Sequence, residues 1–114
     1  MPEELELGQQ ADAIDEFVEV FVPAARARGI EPLPHDLFLV ADDIDRSWRF
    51  TADWNVIAAI GTDVPLASEV LRADVGDLAL VLWERANPWQ LPDRFRIENG
   101  DTALRALVST PVHL

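Results

Sequence analysis

The order of elements in this sequence predicts an α+β domain, an antiparallel sheet of about five strands with helices packed mainly on one face. Three observations carry that expectation. From Gln10 to Arg28, apolar side chains recur at three- and four-residue intervals, the period of an amphipathic helix. Between Leu37 and Arg72, short apolar-rich segments alternate with acidic or Gly/Pro-containing turns. From Leu78 to Trp83 there is almost no polar residue, as in a helix enclosed on most sides.

In the first helix, Ile14, Phe17, Val18, Phe21, Val22 and Ala25 form the inner stripe. Pro23 lies inside it and cannot bond to the carbonyl of Glu19, which predicts a kink or a break that opens a second segment. Gly29 is the stop, and the two prolines of Ile30 to Pro34 imply an extended connection. Leu37 to Ala41 and Ser47 to Ala52 read as two antiparallel strands joined by the acidic turn Asp42 to Arg46, with Trp48 and Phe50 on one sheet face. Asn55 to Ile60 and Ala67 to Arg72 bracket Gly61 and Pro65, which suggests a second hairpin.

Asp74, with Asp77 three residues on, suits the start of a helix running from Val75 to Arg85. Asn87-Pro88 stops it, because the residue before proline is pushed away from helical geometry. Phe95 to Glu98 forms a fifth strand and Asn99-Gly100 a turn. Asp101 caps a last helix whose inner stripe is Leu104, Leu107 and Val108 and which Pro111 ends. Residues 1–9 read as a flexible acidic terminus and residues 10–110 as one domain.

Composition narrows the function. The 114 residues carry 21 acidic and nine basic side chains, a formal charge of −12, which opposes binding to phosphate backbones and anionic lipid surfaces. Neither nucleic acid nor a membrane is an expected partner. All nine basic residues are arginine, a bias that accompanies GC-rich coding sequence and points to a high-GC bacterium. Cysteine is absent, so disulfides, thiolate ligands and a thiol nucleophile are all excluded. The acidic opening MPEELELGQQ has no basic segment followed by an apolar one, so no secretory signal is expected and the cytoplasm is the expected location.

No residue set announces a reaction. His35 and His113 are the only histidines and belong to no His-x-x-x-His pair, so no metal site is expected. His35 reads as a loop residue beside a carboxylate, and His113 as part of a fraying terminus. The turn Asp42-Asp43-Ile44-Asp45 invites a calcium reading, but counted from Asp43 the sharp-turn glycine position holds Trp48 and the bidentate position Trp54. A solvated hairpin turn is the simpler reading. Ser47, Ser68 and Ser109 sit in no nucleophile elbow, and the glycines are scattered rather than gathered into a phosphate loop. No catalytic residue is identifiable.

The pattern Asp77-Leu78-x-Leu80-x-Leu82-Trp83-x-Arg85, followed by a short strand and Gly100-Asp101, resembles the C-terminal domain of the mycothiol-dependent maleylpyruvate isomerase family. Ile14-Asp15-Glu16-Phe17 is similar to the helix that opens that half, so the resemblance runs from about Gln10 to Val108. It implies a fold like sterol carrier protein type 2. In the full-length family, the resemblance further implies, mycothiol and a divalent metal act at a DinB-like bundle, which this chain lacks. It also implies that the C-terminal domain can lend a basic side chain to that site, for which Arg85 is the candidate; the structural alternative is an Arg85 engaged with its own helix end, Glu84 or Asp77.

Of the four tryptophans, Trp83 reads as core, while Trp89, in a connection, suits a pocket rim or partner surface, and Trp48 is a further candidate. The leading expectation is a non-catalytic binding domain that contacts a protein partner or a small apolar or anionic ligand through Arg85, Trp89 and Trp48, with no cofactor of its own. One alternative is a component of a metal- and mycothiol-dependent isomerase or transferase completed by a DinB-like protein. Another is an acyl-chain carrier with a tunnel lined by Leu80, Trp83, Phe50 and Phe95.

Overall fold

Pro23 shapes the first helix. In a computed structural model, which describes residues 11–110 and residue 112, the chain is helical from 11 to 28 (α1) with a π-helical turn at Phe17–Phe21. The Val22 N–H donates to the Phe17 carbonyl, five residues back, so the wider turn lets the helix pass the proline and continue as Val22–Arg28. Gly29, at φ 88°, ends it in the left-handed region, with its N–H donating to Arg26 O at 3.0 Å. The expected acidic terminus at 1–9 lies outside the described residues, as does His113.

Five strands follow the predicted positions closely: β1 Leu37–Ala41, β2 Arg46–Phe50, β3 Val56–Ile60, β4 Glu69–Ala73 and β5 Arg96–Glu98. Helix α2 spans Val75–Leu82 and α3 Thr102–Ser109. The class is α+β as expected, and the sheet is mostly antiparallel, in the order β3-β2-β1-β4-β5. One pair departs from expectation: β4 lies parallel to β1, with Leu37 beside Glu69 and Ala41 beside Ala73. The hairpin expected between β3 and β4 is therefore absent. Residues 61–68 instead carry the chain from the β3 edge across the sheet to β4, over the face away from the helices, where Arg72 Nη1 donates to Thr62 O at 3.4 Å.

Register decides which side chains meet the helices. Leu37 pairs with Phe50 and Leu39 with Trp48, so these four share one face, which continues through Leu71 and Ala73. That face and the inner stripes of the helices form one core containing Ile14, Phe17, Leu78, Leu82, Leu104 and Leu107. Helix α2 is the most enclosed of the three, as its composition predicts, although Leu80 reaches solvent.

Helix α2 ends three residues earlier than expected, before Asn87-Pro88 is reached. Glu84 adopts φ 60°, its N–H donates to Val81 O at 3.1 Å, and the Arg85 N–H donates to Leu80 O at 2.7 Å. These two bonds make a Schellman stop with a glutamate where glycine is usual. Glu84→Gly is accordingly expected to raise stability by about 0.5–1 kcal/mol, read as an upward shift of the urea midpoint at unchanged slope.

Candidate functional site

Side chains that attract attention in the sequence divide into those that hold the fold and those left facing solvent. Trp48 belongs to the first group. It is 0% exposed, its Nε1 donates to Asp15 Oδ1 at 3.1 Å, and the Arg46 guanidinium lies 4.7 Å from its ring centre. Arg46 also reaches both Asp15 oxygens, at 3.3 and 3.5 Å. Asp15 thus ties α1 to β2 through two partners, and Trp48 is a core residue rather than a ligand contact: a buried indole needs one acceptor, and it has one.

Glu69 was not singled out by the sequence reading and proves to be the most consequential carboxylate. It starts β4 on the core side and is 4% exposed. Its Oε1 accepts from the Ala103 N–H at 3.1 Å and its Oε2 from the Leu104 N–H at 2.8 Å, so it caps α3 from a distant strand. His35 Nε2 lies 2.7 Å from Oε1 and closes the site on the solvent side. The carboxylate beside His35 is therefore Glu69 and not the adjacent Asp36, which binds Arg49. Asp101, the expected cap, makes no side-chain capping bond; it accepts instead from Trp89 Nε1 and Arg105 Nε, each at 2.9 Å.

The acidic turn is structural too. Asp43 Oδ1 accepts from the Val75 N–H at 3.0 Å and so caps α2, while Asp42 pairs with Arg72 at 3.3 Å. Asp77 pairs with Arg94, whose guanidinium is held above its ordinary range by that hydrogen bond and charge. Asp74 makes no capping bond. Although Asp74 is exposed, partial desolvation at the helix start, and then the nearby Asp43, Asp77 and Asp42, raise its pKa above the usual aspartate value of 3.8 against the opposing charge of Arg94. A carboxyl whose folded pKa is raised binds protons more readily folded than unfolded, so its ionisation lowers stability as pH rises through the folded pKa. Asp74→Asn should therefore raise the melting temperature at pH 7, and the gain should vanish below the unfolded value. Melting curves at pH 7 and pH 3 check this.

Arg85 belongs to the second group, Trp89 is half-buried against the core, and the fold brings them together. They line an open cleft of about 470 Å³ with Val81, Glu84, Pro88 and Val108. Each has a local cause. The Schellman stop turns the chain at Arg85 out of the α2 axis, and Pro88 is buried, which anchors the connection to the core. Trp89 is fixed by its bond to Asp101 and by the Arg105 guanidinium 4.6 Å from its ring centre. Among the described residues, Arg46, Arg49, Arg72, Arg94, Arg96 and Arg105 contact carboxylates, and Arg28 donates to Val112 O. Arg26 and Arg85 are exposed and pair with no carboxylate among them, and of these two it is Arg85 that lines the cleft; Asp77, one of its expected partners, is taken by Arg94.

Phe50 and Phe95 belong to the core and Trp83 packs against it, whereas Leu80 does not. Phe50 packs edge-on against Trp54, with ring centres 6.4 Å apart, and Trp83 against Phe21 at 5.1 Å, while Leu80 is 38% exposed. Among the described residues, no three His, Cys, Asp or Glu side chains are grouped as metal ligands, and no helix is long and apolar enough to cross a membrane. No protein-family model and no curated protein matches this chain.

Proposed function

We propose that this chain is a non-catalytic binding domain, similar to the C-terminal domain of the mycothiol-dependent maleylpyruvate isomerases, that takes an anionic group in the cleft between Arg85 and Trp89. The observation that carries this is the state of Arg85. In a chain with 21 acidic residues, its guanidinium lines a cleft beside a fixed indole without a carboxylate partner among the described residues. A guanidinium offers two parallel N–H bonds to a carboxylate, and an indole edge or face offers apolar contact beside it. A small planar carboxylate suits that pair. So does an acidic side chain of a partner protein, such as a DinB-like one.

Binding rather than reaction is favoured because the cleft contains no histidine, serine or cysteine to transfer a proton or attack a carbonyl, and Glu84, its one carboxylate, is exposed at the rim. Calorimetric titration with a panel of aromatic and aliphatic carboxylates tests the reading. Arg85→Ala is expected to weaken the best ligand about tenfold or more, the loss of one charge-assisted contact. Because Arg85 is exposed, the melting temperature should stay nearly unchanged. Equal affinity in the variant would refute the proposal, as would turnover by the isolated chain.

A further inference from the structure

The two edges of the sheet are built differently. β5 has only the three residues Arg96–Glu98, two of them charged, the usual way to blunt an edge against pairing. β3 at the other edge has five residues, Val-Ile-Ala-Ala-Ile, with no charge, no proline and no bulge in its pairing with β2. Ile57 is 53% exposed and Ile60 90%.

Its hydrogen-bonding phase is fixed by the bonds at either end of the β2–β3 hairpin. Thr51 N donates to Asn55 O at 2.9 Å and Gly61 N to Asp45 O at 2.6 Å, so residues 55, 57, 59 and 61 face β2. Alternation along an antiparallel pair then turns the N–H and C=O of Val56, Ala58 and Ile60 outward, three donors and three acceptors on an apolar strand. Among the described residues, none of these groups has a backbone partner outside the strand.

We propose that the β3 edge receives an extended segment of a cationic partner protein, which adds a sixth strand to the sheet. Charge selects the occupant. Asp53 lies just before the strand, Asp45 and Asp63 beside its far end, and all three are exposed with no ion pair among the described residues. A second copy could satisfy the same donors and acceptors by antiparallel pairing centred on Ala58. That register would set Asp53 opposite Asp63 of the other copy at both ends, between two molecules each carrying −12. A strand with an apolar middle and Lys or Arg at both ends has no such conflict, and its charges would flank about five residues, the length of β3.

The test uses two nine-residue peptides of alternating valine and threonine, one ending in two lysines on each side and the other in two glutamates. The lysine peptide should bind at least tenfold more tightly, and more weakly as salt rises. Ala58→Pro removes an N–H that points away from β2, so it should leave the melting temperature nearly unchanged and reduce peptide binding at least tenfold. Ile60→Lys, at an exposed position, should do the same by repulsion and serves if the proline variant does not fold. The proposal is overturned if neither peptide binds, if the glutamate peptide binds as well, if both folded variants retain full binding, or if sedimentation shows a dimer whose formation excludes the peptide.

Discussion

Glu69→Ala is expected to destabilise the fold by roughly 3–5 kcal/mol, because it strands two buried helix N–H groups that each cost about 1–3 kcal/mol without an acceptor. The two are those of Ala103 and Leu104. Against a typical total of about 5–15 kcal/mol, that is a large share of the stability of a domain this size. Glu69→Gln keeps one carbonyl acceptor at the site and should cost less than the alanine change. Urea unfolding followed by tryptophan fluorescence measures both. A cost below about 1 kcal/mol for Glu69→Ala would mean that α3 does not depend on the strand for its cap.

The second large effect is expected at Trp48. Trp48→Ala should cost about 3–5 kcal/mol, the range for emptying a large aromatic site in a packed core. Trp48→Phe refills most of the volume but leaves Asp15 without its indole donor, so it should cost less, with the remainder traceable to that bond. Pairing each change with Asp15→Asn in a double-mutant cycle isolates the contact. Neither substitution should alter ligand affinity at the Arg85 cleft, since Trp48 lies on β2 in the core and does not line it.

Much of the architecture is legible in the sequence because burial leaves a periodic trace. Ile14 and Phe17 mark the helix by spacing, and Trp48 and Phe50 mark a strand face by alternation. The parallel placement of β4 left a weaker trace. Gly61 and Pro65 signal a turn whichever strand comes next, and the useful cue was length, since eight residues between β3 and β4 exceed the usual two to five of a hairpin loop. The early end of α2 was hidden because Glu84 occupies a left-handed position without being glycine.

The site was legible in part. Arg85 stands out as a charge ending an apolar run, and Trp89 as an indole in a connection, but that they line one cleft depends on the Schellman turn that ends at Arg85 and on the buried Pro88 that follows it. Trp48 is a further candidate in the sequence because periodicity reports which residues share a face and says nothing about which face is covered. Glu69 did leave a signal. It shares the inward phase of Leu71 and Ala73, and a carboxylate in that phase must find donors within the protein.

Central to this account is an Arg85 guanidinium left available for an anion. The most direct measurement follows the Arg85 Nε–H and the Trp89 indole N–H in ¹H–¹⁵N spectra while a carboxylate ligand found by calorimetry is added. Both signals should move together and saturate with one binding constant, while the Trp48 indole signal stays in place. A saturating shift at Trp48 with Arg85 and Trp89 unmoved would contradict the account.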